Sequence, residues 1–291
     1  MQSLKDNIHI EDKYLGVTLG AINLPRGLIY VDAPLTPEDG RSWRADLLDL
    51  ESGHERLLIN LDTNLDRIIG ARAMDTKILA HEKLAEFFSN RSGTFKMQGQ
   101  RTGAEWENIP TLSNIRWAPP QLTLTKRITM HWGESPLILE HHPGSDHGAI
   151  WLILPKEKII FLGDTILKNQ PPFFANANLQ HWINDLDLLA SETYKGYSFV
   201  SGRGGVCATS TFDKQRQYIE DVHKGLEVLA RKNAEAEETE KMIPALLSKI
   251  SFPQKLHPVY KAIEITRKKL DKKKSLISFI GAPWTLLIYM L

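Results

Sequence analysis

The sequence predicts an α/β protein built from layers of strands and helices. Short apolar runs bounded by Gly, Pro and polar residues recur up to about residue 200, stretches with helical spacing lie between some of them, and the chain becomes helical after that point. The predicted strands are residues 7–33 with a turn at 25–27, 56–61, 122–139 with a turn at 133–135, 149–154, 158–162 and 197–200.

Apolar residues at helical spacing predict the helices of the chain. Residues 34–40 are predicted to form a loop, and Ser210 or Thr211 is the predicted N-cap of the first helix after the strands. We therefore expect a domain at residues 1–212 and a helical C-terminal extension, residues 213–291, packed on it. The predicted helices are residues 42–50, 78–88, 179–191, 213–231, 235–250 and 258–270.

Composition narrows the class of protein. The 291 residues include 36 Lys and Arg against 35 Asp and Glu, so the net charge of +1 gives no argument for a nucleic-acid partner. The single cysteine, Cys207, excludes an intrachain disulfide and a cysteine zinc cluster, and we interpret it as a small buried side chain. Residues 1–14 carry charges where a signal peptide is apolar, which predicts a cytoplasmic protein.

Four polar loops each follow an apolar, strand-like run. An ordinary turn explains any one of them, whereas four in this order are typical of an active site assembled from several strand ends at one edge of a sheet. The loops are residues 62–67, 141–148, 163–165 and 201–205.

These loops carry motifs that resemble those of the metallo-β-lactamase superfamily. Order and spacing match over about residues 8–230, and residues 78–82 resemble the strand and "aHe" segment that commonly follow the first motif. The resemblance implies a four-layer αββα sandwich with the site on one edge. The matching motifs are LDTNLDR at 61–67 for T-H-x-H-x-D-H, PGSDHG at 143–148 for P-G-H-T-x-G, FLGDT at 161–165 for F-x-G-D-T, and GRG at 202–204 for G-H-G.

The resemblance also implies which residues stand at the family's metal-ligand positions. Only Asp66 and Asp164 keep the family's residue type, and all five histidine positions are changed. Carried over residue by residue, the first metal position comprises Asp62, Asn64 and Ser145, the second comprises Asp66, Arg67 and Arg203, and Asp164 bridges the two.

The replacements at the first position predict that zinc is not bound there. Zinc favours imidazole and thiolate ligands, whereas this position offers only oxygen donors, with Ser145 a weak one. A single hard cation, Mg²⁺, Mn²⁺ or Ca²⁺, on Asp62, Asn64 and Asp164 is one alternative for the site.

The second position is altered differently, because two arginines replace ligands. A guanidinium group has only hydrogen-bond donors and cannot bind a metal, but it can supply positive charge and bind carboxylates in a bidentate manner. We therefore hypothesise that Arg67 and Arg203 form a network with Asp66 and Asp164 in place of the second metal.

Two functions remain open at this stage. A zinc-free protein without classical metallo-hydrolase activity would bind a small molecule or a protein partner in the former cleft, whereas a hydrolase would use one hard cation to activate water for ester, thioester or phosphoester cleavage. Asp66, Asp164 and His147 are the candidate catalytic residues, with an ordinary loop histidine as the alternative for His147. No nucleic-acid partner is expected, because the chain lacks room for the large insertion of the members that process nucleic acids.

The C-terminal tail has a basic run followed by an almost wholly apolar stretch. Residues 267–274 supply the basic run, and residues 276–291 are too few to span a membrane comfortably. Packing on the domain or in a homodimer is the first interpretation. Binding of residues 267–291 to a membrane surface is the second, and an artefact such as a frameshift is the third.

Overall fold

Two β-sheets packed face to face form the centre of the molecule in the computed structural model. The structure describes residues 1–50, 53–89, 91, 93–95, 109, 112, 114–168, 170–174, 176–234 and 236–249. Its strands are β1 (Gln2–Lys5), β2 (Ile8–Glu11), β3 (Leu19–Leu24), β4 (Gly27–Val31), β5 (Glu55–Ile59), β6 (Lys77–His81), β7 (Leu122–Leu124), β8 (Arg127–Met130), β9 (Leu137–His141), β10 (Ile150–Leu154), β11 (Ile159–Phe161), β12 (Ser198–Val200) and β13 (Val206–Cys207).

The helices cover the outer faces of these sheets. They are α1 (Pro37–Asp46), α2 (Leu65–Ile68), α3 (Glu82–Ser89), α4 (Leu179–Ala190), α5 (Ser210–Arg231) and α6 (Ile243–Leu247), with 3₁₀ turns that include Gly70–Met74, Gly163–Thr165 and Ala236–Met242.

The strand order brings several loops to one edge. The first sheet has the order β1-β2-β3-β4-β5-β6-β7, and the second has the order β13-β12-β11-β10-β9-β8. Strands β4 to β7 are parallel to one another, as are β11 and β12, so their carboxyl ends point to the same side of each sheet. The loops that follow β4, β5, β9, β11 and β12 carry the residues of the candidate site.

Strand β10 is buried on both faces, as expected for an inner sheet of a four-layer sandwich. Ile150, Leu152 and Leu154 point into the core between the two sheets, while Trp151 and Ile153 pack under α4 and α5. Both faces of the strand are therefore buried, which is typical of a continuous apolar run in the interior of an αββα sandwich. A third apolar cluster, which includes Trp43 of α1, covers the outer face of the first sheet. Full burial of an aliphatic or aromatic side chain of this size contributes roughly 1.5–3 kcal/mol.

Several predicted helices differ from the structure. The helix predicted at 42–50 is α1, which begins at Pro37 inside the predicted loop because Thr36 caps it by accepting a hydrogen bond from Asp39 N. The stretch 78–88 is not one helix, since its first part pairs between β5 and β7 as β6 and only its second part is α3. The N-cap of α5 is Thr209 and neither Ser210 nor Thr211.

The C-terminal part begins as an integral layer of the sandwich. The predicted division between residues 212 and 213 falls within α5, whose Phe212 and Ile219 lie in the core beneath the second sheet. The helix predicted at 235–250 is a 3₁₀ turn followed by the short α6, and the predicted helix at 258–270 and the tail at 267–291 lie outside the described residues. In the described ranges, no helix combines the length and apolar character that a membrane crossing requires.

Candidate functional site

Arg67 is the buried centre of a cluster of charged side chains at the edge of the sandwich. Its side chain is fully enclosed, and its Nη1 donates to Asp32 Oδ2 at 2.8 Å and lies 3.3 Å from Asp62 Oδ2. Its Nη2 donates to Asp164 Oδ1 in a short charged contact. One guanidinium group thus joins the carboxylates that follow β4, β5 and β11.

Arg203 approaches the same aspartate from the other side. Its Nε lies 3.1 Å from Asp164 Oδ1 and its Nη2 lies 3.0 Å from Asp164 Oδ2, which is a bidentate arrangement. Its Nη1 donates to Asp66 Oδ2 at 2.6 Å. Arg203 therefore connects Asp164 to Asp66, as the sequence hypothesis requires, and the ring of Phe173 lies 4.7 Å from its guanidinium carbon.

Asn64 completes the hydrogen bonding of Asp164. Its Nδ2 donates to Asp164 Oδ2 at 2.8 Å, and its backbone N–H donates to Asp62 Oδ1 at 3.0 Å. Both oxygens of Asp164 consequently accept hydrogen bonds from N–H donors, each from more than one group.

We call this group of side chains the Arg–Asp cluster. It contains four carboxylates and two guanidinium groups, so the carboxylates outnumber the cations in a buried setting. Its members are Asp32, Asp62, Asn64, Asp66, Arg67, Asp164 and Arg203.

Burial and neighbouring charges shift the pKa values of these groups in opposite directions. Burial raises the pKa of the Asp62 carboxyl well above its usual range and raises that of Asp32 as well, although the charge of Arg67 opposes both shifts. Burial disfavours the charged form of Arg67, but the charges of Asp164, Asp62 and Asp32 outweigh this effect and raise its pKa. The arginines therefore stay charged, and Asp62 is the carboxyl whose ionisation burial disfavours most clearly.

Two glycines make room for the arginines. A Cβ on Gly202 would collide with Arg67 Nη2 and would lie 2.7 Å from Asp164 Oδ1. Gly16 has a φ of +70°, and a Cβ there would lie 3.1 Å from Arg203 Nη1. Backbone that only glycine fits thus approaches each guanidinium group closely.

The loop after β9 lies beside the cluster. Asp146 holds this loop in place, because it accepts hydrogen bonds from Thr63 Oγ1 at 2.8 Å and from Gly148 N at 2.8 Å. Ser145 is 6% exposed, and within the described residues its hydroxyl makes no hydrogen bond. His147 is an exposed side chain whose Nδ1 lies 3.8 Å from Asp146 Oδ2, and among the described contacts it makes none with the Arg–Asp cluster.

His81 and Cys207 are buried and make structural contacts. His81 is buried and its Nε2 bonds Thr125 O, while its ring stacks on His141 with the ring centres 3.8 Å apart. His181 is exposed on α4. Cys207 is a free, buried thiol whose pKa burial raises to about 12, which confirms its interpretation as a small buried residue.

The sequence analysis missed three residues that shape the cluster. Asp32 accepts hydrogen bonds from Arg67 and from Leu61 N, and its only sequence signal is its place directly after the apolar run that forms β4. Phe173 lies in a Pro-rich stretch with no motif. Gln215 of α5 accepts from Leu167 N and donates to Thr165 O, and it thereby holds the segment that carries Asp164.

The C-terminal residues are similar to a different family from the sandwich. Residues 224–291 match the sequence model of uroporphyrinogen decarboxylase. A uroporphyrinogen decarboxylase of Orientia tsutsugamushi (strain Boryong) is 56% identical over 57 residues, which are 18% of this chain and 16% of that protein. One from a Nitratiruptor species is 62% identical over 40 residues, 13% of this chain and 12% of that protein. The chain thus spans less than a fifth of these relatives, and none of the predictions for residues 213–291 included this similarity.

The sandwich itself has clear structural neighbours, and residues 70–198 match the sequence model of the metallo-beta-lactamase superfamily. A metallo-beta-lactamase from Pontibacter korlensis aligns with a TM-score of 0.54 and 17% identity over 74% of this chain and 97% of that chain. A metallo-beta-lactamase family protein from Thermus thermophilus aligns with a TM-score of 0.62 and 16% identity over 97% of this chain and 98% of that chain. At such low identities these structures show the fold alone: the two-sheet domain has the metallo-beta-lactamase fold, and residues 70–198 within it match the superfamily's sequence model.

Proposed function

We propose that this domain is a metal-independent member of its superfamily that binds a ligand instead of hydrolysing one through a metal-bound hydroxide. The observation that carries the proposal is the position of the two guanidinium groups. Arg203 lies between Asp66 and Asp164, and Arg67 holds the other oxygen of Asp164, so protein cations stand where the resemblance implies a second metal.

The chemistry of the donor set supports this proposal. Zinc in this family would need imidazole nitrogens and carboxylate oxygens with free lone pairs. Here both oxygens of Asp164 already accept N–H donors, and Arg203 offers donors only. In the described part of the chain, no three His, Cys, Asp or Glu side chains are placed to share one metal ion. These residues do not fit a zinc pair.

Two buried acceptors suggest what the ligand offers. Within the described contacts, Asp66 Oδ1 and the Ser145 hydroxyl have no hydrogen-bond partner, and an unmatched buried polar atom is costly. The carboxylates of the cluster also outnumber its arginines. We therefore propose that the ligand is a small molecule that carries N–H or O–H donors. Phe173 would give this ligand an aromatic surface beside Arg203.

One observation favours a second candidate, a hydrolase with a single hard cation on Asp62, Asn64 and Asp164. In the described structure, Asp62 Oδ2 accepts no hydrogen bond, and a cation there would balance the surplus of carboxylates. Against it, the amide of Asn64 donates to Asp164 Oδ2, so these two groups already satisfy each other. We therefore rank the metal-independent function first.

Elemental analysis of the full chain, purified without chelators, separates the two candidates. We expect much less than one equivalent of zinc, manganese or magnesium per chain, and no phosphodiesterase or thioesterase turnover. Stoichiometric zinc would overturn the proposal. Stoichiometric manganese or magnesium, with turnover that Asp164→Ala abolishes, would establish the hydrolase. Asp187→Ala is the matched control, because this carboxylate is exposed on α4 and pairs only with Arg216 in the described contacts.

A further inference from the structure

The segment that resembles uroporphyrinogen decarboxylase begins inside the sandwich domain. Its match starts at residue 224, within α5, whose earlier turns pack beneath the second sheet. After α5 the chain turns back, and α6 returns to lie against the same helix. The start of this segment is therefore in contact with residues of the metallo-beta-lactamase domain.

An apolar cluster forms this contact, and we call it the docking cluster. From the decarboxylase-like segment, Ile243 and Leu246 are 8% and 4% exposed. Burial of such side chains is the main favourable term in an interface of this kind. The cluster comprises Phe174, Leu179, Tyr218 and Val222 of the sandwich domain and Leu226, Met242, Ile243 and Leu246 of the segment.

Polar contacts and close packing define the orientation of the docked segment. Lys249 Nζ lies 2.6 Å from Asp221 Oδ2, which joins the end of the described segment to the middle of α5. The Sδ and Cε atoms of Met242 lie close over Gly225, where the absence of a side chain leaves room for them. The contact thus has both an apolar centre and a defined register.

Phe174 links the docking cluster to the Arg–Asp cluster. Its ring stacks parallel to that of Tyr218, with ring centres 6.3 Å apart, and meets Trp182 edge-on at 5.9 Å. The preceding residue, Phe173, lies over Arg203. Adjacent residues on one stretch of backbone therefore contact two different clusters.

We propose that the docked decarboxylase-like segment, residues 224–249, holds Phe173 over Arg203, so that release of the segment exposes the Arg–Asp cluster. Phe174 packs against the docking cluster, to which the segment contributes Ile243 and Leu246. Loss of these two side chains leaves Phe174 with Tyr218 and Trp182 as its ring partners, so the Phe173–Phe174 pair is held less firmly over Arg203.

Arginine labelling of the full chain tests this coupling. The double substitution Ile243→Asp and Leu246→Asp places charges in the docking cluster, and Ala245→Asp, at an exposed position of the same helix, is the matched control. Release is measured as trypsin cleavage after Lys241 and Lys249. Exposure of the site is measured as the rate at which phenylglyoxal modifies Arg203, mapped by mass spectrometry.

In the double variant we expect faster cleavage of the segment and a rise of roughly tenfold or more in the labelling rate of Arg203, with the control unchanged. Arg72, which is exposed, should be labelled equally in all variants, and Arg67 should stay protected beneath the surface. Faster cleavage without a rise in Arg203 labelling would overturn the coupling. Unchanged cleavage would overturn the docking itself.

If circular dichroism shows that the double variant does not fold, a second variant tests the coupling between the docking cluster and Arg203. Phe174→Ala cuts the link between the clusters and leaves Ile243 and Leu246 in place. We expect Arg203 labelling to rise by a similar factor in this variant. If it stays at the wild-type rate, the Phe173–Phe174 pair does not transmit the state of the segment, and the proposal is wrong.

Discussion

The two arginines of the Arg–Asp cluster stand at neighbouring positions but in different surroundings. Arg67 is fully enclosed and contacts three carboxylates, Asp32, Asp62 and Asp164, from the ends of three strands. Arg203 is 11% exposed, binds Asp164 and Asp66, and is covered by the single ring of Phe173. The difference indicates that Arg67 serves the stability of the fold, whereas Arg203 is the more accessible of the two guanidinium groups.

Loss of Arg67 is the strongest test of this comparison. Arg67→Met would leave three buried carboxylates without their shared cation, and we expect it to lower the free energy of unfolding by about 3–5 kcal/mol. Since a domain of this kind has a total stability of about 5–15 kcal/mol, the variant should be poorly soluble. Urea denaturation measures the loss, with Arg72→Met, an exposed arginine in the next turn, as control. If Arg67→Met lowered the free energy of unfolding no more than Arg72→Met, the enclosed ion pairs would make no net contribution to stability.

Loss of Arg203 should have a smaller effect on stability. Arg203→Met removes charged hydrogen bonds at a partly accessible position, and we expect a loss of about 1.5–3 kcal/mol by the same urea measurement. Arg203→Lys keeps the charge but cannot bind Asp164 in a bidentate manner, so it should recover only part of this loss. A full recovery by lysine would show that charge alone, and not the forked geometry, matters here.

The smallest expected effect is a dependence of stability on pH, which we expect from a histidine near the cluster and not from the arginines. The arginines keep their charge at all accessible pH values, whereas burial lowers the pKa of His141, opposed by the hydrogen bond to His147 O. His81 stacks on this ring, and His142 and Asp185 are the other charged groups that act on it. Because burial makes His141 harder to protonate in the folded state than in the unfolded state, the free energy of unfolding should fall as the pH drops below the unfolded pKa of about 6.5.

Thermal unfolding between pH 7.5 and 5.5 measures this dependence. His141→Gln should reduce the slope of stability against pH, since it removes the group that must become charged on unfolding. His147→Gln is the control, because it removes an exposed imidazole and keeps the backbone carbonyl to which His141 is bonded. Equal slopes in the wild type and in His141→Gln would assign the pH dependence to other groups.

Much of the fold could be predicted from local patterns. The strand at 149–154 was predictable because an uninterrupted apolar run, followed by a tight turn and another such run, is typical of a strand buried on both faces. The strand β6 was not predictable from periodicity, since Ile78 and Leu79 fit a helical face equally well. The family resemblance of residues 78–82 did imply a strand, and the pairing of residues 77–81 with β5 and β7 forms it.

The candidate site was predictable to the extent that its motifs are contiguous. Motif positions placed Asp66, Arg67, Asp164 and Arg203 together, and the structure brings all four into one network. Asp32 was not predictable, because its contact with Arg67 joins residues 35 positions apart and no motif marks it. His147 remains a candidate catalytic residue on sequence grounds alone, and its exposed position beside the cluster leaves that prediction untested.

By itself, the sequence determined which chemical groups are available: carboxylates at Asp66 and Asp164 and guanidinium groups at Arg67 and Arg203, in loops that each follow an apolar run. The tertiary structure alone decided how these groups pair. Arg67 binds three carboxylates from the ends of separate strands, and Arg203 joins one of these, Asp164, to Asp66. Phe174 packs against the apolar cluster that the decarboxylase-like segment helps to form. The physical reason is that buried charges are stable only with partners in hydrogen-bonding geometry, and those partners become neighbours only when the strand ends converge at one edge.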